Sequence, residues 1–188
     1  LLTLMLNGCA SEKTKQTAAQ ENDTEEDSGE KKIQIGLTVD SFVIERWIRD
    51  RDVFVATARE LGAEVNVQDA GADTKEQISQ IDYFIKKHMD VIVIIARDCK
   101  ALSEAVERAD NAGIRVISYD RMVNDADTDM YISFDNRKVG EIMAQSMMEA
   151  IPDGGKIFMI QGSASDNNVD MVKEGFEDTL KNSDLKVV

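Results

Sequence analysis

The stretch "DVIVIIA", Asp90 to Ala96, limits more than any other what this chain can fold into. Val91 to Ile95 are five consecutive β-branched residues, and such a run needs cover on both faces, as a central strand of a parallel sheet has. Parallel strands must be joined by crossovers of a dozen or more residues, and the flanking sequence supplies them. "IQIGLTV" (Ile33 to Val39) and the alternating "EVNVQD" (Glu64 to Asp69) precede it; "IRVISY" (Ile114 to Tyr119), "MYIS" (Met130 to Ser133) and "KIFMIQG" (Lys156 to Gly162) follow. Between these runs the spacing predicts helices over Arg46 to Leu61, around Ile78, Ile81 and Ile85, over Leu102 to Ala112, over Arg137 to Ile151 and over Asn168 to Lys181. Gly62 and Gly113 are placed to end two of them. The order βαβαβ predicts an α/β fold, a doubly wound parallel sheet with helices on both faces.

The closing "LKVV" reads as one more strand beginning. Residues 33–133 are therefore expected to form one lobe, and residues 134–188 the opening of a second that is incomplete here. Unfinished, that lobe is expected to leave apolar faces bare around Ile157 to Ile160 and Phe176, and so to favour pairing or aggregation.

Ligands of doubly wound sheets bind beyond the carboxyl ends of the strands. Asp40, Ser41, Phe42 and then Glu45, Arg46 and Trp47 follow the first strand; Arg97 and Asp98 follow the third; Asp120 and Arg121 the fourth; Ser163, Ser165, Asp166, Asn167 and Asn168 the sixth. Neither a G-x-G-x-x-G nor a P-loop lies among them. Carboxylates and amides accept from hydroxyls, a guanidinium fork donates to two neighbouring oxygens, and an indole face packs on sugar C–H groups, so this set suits a neutral polyol. Taken singly, each strand-end residue is more readily a helix cap or surface ion pair, and Trp47 a core residue.

Other chemistries fit less well. Asp125, Asp127 and Asp129 alternate as in a calcium loop, but Met130 and Asn136 stand where the glycine and glutamate belong, which leaves a solvated turn. His88, the one histidine, falls at a helix end beside Lys86 and Lys87 and reads as structural. Cys99 reads as a helix-start residue or buried thiol. Without a nucleophile–base pair or metal cluster the chain is expected to be no enzyme, with no metal and no cofactor. A formal charge of −14 argues against a nucleic-acid partner.

"LLTLMLNGCA" at the start is too short to span a bilayer. Residues 1–9 read as a signal-peptide remnant ending in "LNGC", which is similar to a lipobox, so Cys9 is the expected lipidation site. From Ala10 to Lys32 no aliphatic residue exceeds Ala, which predicts a disordered acidic linker of roughly 26 Å root-mean-square span. The expected location is extracytoplasmic, anchored to the outer face of the membrane or periplasmic.

The strings "ERW" (Glu45 to Trp47), "DRD" (Asp50 to Asp52), "YDRM" (Tyr119 to Met122), "NDAD" (Asn124 to Asp127), "YISFDN" (Tyr131 to Asn136), "VGE" (Val139 to Glu141) and "DNN" (Asp166 to Asn168) closely resemble the type I periplasmic sugar-binding proteins of the ribose and galactose branch. The likeness runs from about Lys32 to Val188. It implies two α/β lobes that close on one monosaccharide, D-xylose foremost, with "SFDN" at the first hinge crossing. It also implies ligand contacts at Arg46, Asp120 and Arg121, an aromatic position at Trp47, and second-lobe contacts at Asp166, Asn168 and Asn167. The implied partner is an ABC permease, or a membrane sensor kinase regulating sugar uptake. Two alternatives share the fold: a sugar-responsive repressor core, which lacks its DNA-binding helices here, and a receiver-like enzyme using Asp40 and Asp98.

Overall fold

The computed structural model describes residues 31–188; residues 1–30, with Cys9 and nearly all of the acidic segment, lie outside the described residues. The first seven elements alternate as β1 (Gln34–Val39), α1 (Glu45–Glu60), β2 (Glu64–Asp69), α2 (Thr74–Lys86), β3 (Val91–Ile95), α3 (Ser103–Asn111) and β4 (Arg115–Tyr119). Then come β5 (Met130–Ile132), α4 (Asn136–Ala150), β6 (Gly155–Ile157), α5 (Asn167–Leu180) and β7 (Leu185–Val187).

β1 to β5 form one parallel sheet in the order β2-β1-β3-β4-β5, and β6 pairs with β7 in a second parallel sheet. The order reverses between β1 and β3, so the crevice beyond their carboxyl ends is the topological switch point, where ligands of such sheets bind. The ladder between them runs from Ile35↔Val91 to Val39↔Ile95. Just beyond it Asp40 and Arg97 face each other across that crevice, with Arg97 Nε 3.5 Å from Asp40 Oδ1.

Both faces of the first sheet are covered, as the Val91 to Ile95 run requires. Ile92, Ile94 and Val116 pack with Ile81 and Phe84 of α2, with Leu102 at the N-cap of α3 and with Val106 and Ala109 of α3; on the opposite face Leu37, Val39, Val93 and Ile95 pack with Trp47 of α1. The buried side of α2 is Gln77, Gln80, Ile81 and Phe84, while Ile78 and Ile85 are only partly buried. Phe84 reaches the sheet because β1 offers Gly36, where an added Cβ would stand 2.5 Å from the ring. α4 and α5 cross through Gly140 and Gly175, each of which would overlap a backbone carbonyl of the other helix if it carried a Cβ.

Three expectations are adjusted. The sixth strand stops at Ile157 rather than Gly162, because β7 pairs only Gly155 to Ile157. Phe158 and Ile160 beyond it are exposed, whereas Ile157 and Phe176 are buried against α4 and Leu185. Asp129 is not merely solvated: its Oδ2 accepts from the Val116 N–H at 2.8 Å, pinning the start of β4, while Asp125 takes a left-handed turn. His88 ends α2 with φ 53°, its N–H donating to the Ile85 carbonyl, consistent with the structural role expected of it.

Candidate functional site

Asp120 follows β4 with φ +63°, a region that costs a non-glycine residue about 1–3 kcal/mol unless its surroundings over-determine it. Here they do. Its N–H donates to the Ile132 carbonyl at 2.7 Å. Its own carbonyl accepts from Ser133 Oγ at 2.8 Å, Tyr131 Oη at 3.2 Å and Asn168 Nδ2 at 3.2 Å. The Asp120 carboxylate is thereby aimed into the crevice, where Oδ2 lies 2.6 Å from Arg46 Nη2 and Oδ1 accepts from Asn168 Nδ2 at 3.0 Å.

Arg121, 13% exposed, turns the other way. Nη1 donates to Asp40 Oδ2 at 2.7 Å and to the Ala96 carbonyl at 3.2 Å. Nε stands 2.9 Å from Asp166 Oδ2 without the angle of a hydrogen bond. Asp166 also caps α5, its Oδ1 accepting from Asn168 N–H at 3.0 Å. One carboxylate thus serves both as the helix cap and as the ion-pair partner that sequence offered as alternatives. Asn167 Oδ1 accepts from the Met122 N–H at 3.2 Å, and Asn168 Oδ1 from Asn136 Nδ2 at 3.0 Å.

Trp47 is buried, 2% exposed. Arg46 lies 4.5 Å from its ring centroid and Arg121 5.7 Å, and Arg46 also lies 5.4 Å from the Phe134 ring. As the chain stands, the indole is a platform for guanidiniums, an arrangement favoured by the ring quadrupole.

All seven residues named from sequence, Arg46, Trp47, Asp120, Arg121, Asp166, Asn167 and Asn168, come together at this crevice. Several others join them. Asp40, its side chain 4% exposed, lies between Arg121 and Arg97, whose Nε is 3.5 Å from Asp40 Oδ1 and donates to the Ala72 carbonyl at 3.1 Å. Asp50 receives Tyr119 Oη at 3.1 Å and stands 3.4 Å from Arg46 Nε. Burial, with the Asp50 charge beside it, raises the Tyr119 pKa and keeps the phenol a donor. Four carboxylates therefore meet three guanidiniums. Asp50 and Tyr119 were visible within "DRD" and "YDRM" but drew no separate notice. Asp98 and Glu45 do not join: Asp98 accepts from Lys100 and Ala101 N–H groups in its own turn, and Glu45 pairs with Arg49 on the outside of α1.

The second segment also touches the first through backbone. Cys99 N–H donates to the Ser165 carbonyl at 3.0 Å and Ser165 Oγ to the Arg97 carbonyl at 3.3 Å. Cys99 is buried, and burial with the Asp98 charge raises its thiol pKa. Among the described residues no three His, Cys, Asp or Glu side chains are grouped to hold a metal, and no helix is long and apolar enough to cross a membrane. With Asp40 locked by arginines and Asp98 closing a turn, the receiver-like arrangement is not formed.

Comparison with known proteins gives the family. A family model described as a periplasmic binding protein domain matches residues 35–188. The D-xylose-binding periplasmic protein of Escherichia coli (strain K12) is 45% identical over 151 residues, covering 80% of this chain and 46% of that protein. Its namesake from Haemophilus influenzae is 46% identical over 145 residues, 77% of this chain and 43% of that protein. A crystal structure of an ABC transporter solute-binding protein from Clostridium phytofermentans with bound β-D-glucose superimposes with TM-score 0.76 at 26% identity, covering 82% of this chain and 51% of that one. The chain spans about half the length of the curated relatives it matches.

Proposed function

The chain belongs to the periplasmic binding protein family, and from that membership we propose that it is an extracytoplasmic receptor holding one monosaccharide, D-xylose foremost, between two lobes. Residues 33–133 supply the first lobe and residues 134–188 open the second. The observation that carries this reading is the meeting of Arg46, Asp120 and Arg121 of the first segment with Asp166 and Asn168 of the second at the switch point. The similarity to two D-xylose-binding proteins supports the choice of sugar.

In this reading Arg46 and Arg121 donate to vicinal ring hydroxyls while Asp120, Asp166 and the Asn168 amide accept from or donate to others. The ion pairs present without ligand are the groups a sugar engages. It exchanges Arg46–Asp120 and Arg121–Asp166 contacts for hydroxyl-bridged ones and favours the closed arrangement by what it binds on both sides. The site binds and releases; it does no chemistry on the sugar. The closed form is read at the membrane by an ABC permease or by a sensor kinase, and lipidated Cys9 keeps the receptor at the outer face of the membrane.

Calorimetry on the full-length gene product tests the reading, with D-xylose as titrant and D-ribose and D-glucose as controls. Xylose-selective heat that is lost in Arg46→Ala, a side chain 43% exposed, is the expected result. No heat from any of the three sugars, with a folded protein by circular dichroism, refutes it.

A further inference from the structure

Among the described residues, a buried cluster of polar side chains outside the crevice belongs to α2. Gln77 is 0% exposed and Gln80 4%, and neither touches any of the seven residues named for the sugar, Gln77 meeting only the backbone of Arg97 at the edge of that site. Gln77 Nε2 donates to the Ile95 carbonyl at 2.9 Å and towards Thr38 Oγ1 at 3.3 Å, while Oε1 accepts from the Arg97 N–H at 2.8 Å. Thr38 Oγ1 donates to Gln80 Oε1 at 2.7 Å, and Gln80 Nε2 to the Asp69 carbonyl at 2.9 Å. The side chains of one helix thus bond the carboxyl ends of β1, β2 and β3 just where their ladders stop.

We propose that Gln77 is a positioning residue of the sugar site: its amide replaces the missing ladder partner beyond Ile95 and fixes residues 96 and 97. This rests on the sugar-receptor reading, and it adds a residue that touches no ligand. Residues 96 and 97 are where the clamp's supports converge. The Ala96 carbonyl receives Arg121, the Arg97 carbonyl receives Ser165 of the second segment, and the Arg97 side chain flanks Asp40. Two residues on, the Cys99 N–H holds the Ser165 carbonyl. Released from Gln77, this turn lets Arg121 and Asp40 drift and loosens both Ser165 contacts. A merely structural amide would cost stability without moving any of these.

The test compares Gln77→Met with Gln80→Met, which breaks the same buried network without touching residues 95–97. Each full-length variant is measured for urea stability, for the rate of Cys99 alkylation resolved by peptide mass mapping, and for D-xylose affinity. Loss of the Gln77 contacts opens the turn locally, so Cys99 should react about tenfold faster in Gln77→Met than in Gln80→Met at matched stability. Xylose binding should weaken about tenfold, ~1.4 kcal/mol, in Gln77→Met and stay within threefold in Gln80→Met. Should Gln77→Met not fold, Gln77→Glu keeps an acceptor for Arg97 and removes the donor, and the same comparison applies. Equal alkylation rates in the two variants overturn the proposal. The thiol arm decides it even if the wild-type protein binds none of the sugars tried, an outcome that would instead remove the sugar-receptor reading.

Discussion

Replacing Arg121 by Leu measures how far the centre of the clamp is held together by charge. Arg121 and Asp40 are bonded at 2.7 Å with side chains 13% and 4% exposed. Removing one member of such a buried pair costs about 3–5 kcal/mol, because the charge left behind is uncompensated. Two details place this site at the low end. Arg97, one-third exposed and 3.5 Å from the other Asp40 oxygen, still shields the stranded carboxylate. Asp166 keeps its bond to the Asn168 N–H at the start of α5, so it is not stranded at all. The expected loss for Arg121→Leu is about 3 kcal/mol. For Asp40→Leu it is about 2 kcal/mol, since Asp166 and the Ala96 carbonyl continue to hold Arg121. The double variant carries neither charge and should be more stable than the sum of the singles by about 2 kcal/mol. Urea unfolding at neutral pH, followed by circular dichroism and by the fluorescence of Trp47, the only tryptophan, reads all four proteins. Additivity within about 0.5 kcal/mol would refute the reasoning, because it would mean the two charges do not depend on each other.

Two further perturbations probe other links. Gly140→Ala and Gly175→Ala each force α4 and α5 apart, at about 1–3 kcal/mol for overpacking, and should raise hydrogen exchange in α4, α5 and β6 while leaving β1 to β4 protected; uniform exchange across both sheets would contradict this. For Tyr119 the folded pKa is raised, so its contribution to stability is complete below about pH 10, the unfolded value, and is lost as pH rises through the folded value. Absorbance at 295 nm should therefore show one tyrosine ionising later than the others, and Asp50→Asn should bring it back towards them.

The first sheet was legible because its strands are apolar or alternating runs, and each of its strands, with α1 and α3, lies within a residue or two of where the periodicity puts it. The candidate site draws on other signals. Arg46, Asp120, Arg121 and Asp166 are each ambiguous alone, and the rule that strand ends share one edge, together with the family resemblance of their motifs, groups them. Gln77 and Gln80 are masked in the sequence because Ile78, Ile81 and Ile85 mark the apolar face, and a glutamine beside them reads as solvent-facing. The signal was present as spacing: Gln77, Gln80, Ile81 and Phe84 follow the i, i+3, i+4, i+7 pattern, so two amides sit on the buried stripe. Phe158 and Ile160 show the converse limit, since apolar character alone does not say whether a neighbouring strand extends far enough to pair with them.

The Asp120 carbonyl oxygen, gathering donors from β5's Tyr131, from Ser133 and from α5's Asn168, has a mechanical meaning. Of these donors Asn168 alone belongs to the second segment, so a rotation of the two sheets that keeps its bond turns close to that oxygen. Such a motion has its axle near the backbone of the residue whose carboxylate stands in the crevice. Atoms far from an axle sweep wide arcs and atoms beside it scarcely move. An opening of this kind would part the distant rims while carrying Asp120 almost nowhere, so under the proposed function a sugar would be released by the departure of its other contacts rather than by this one.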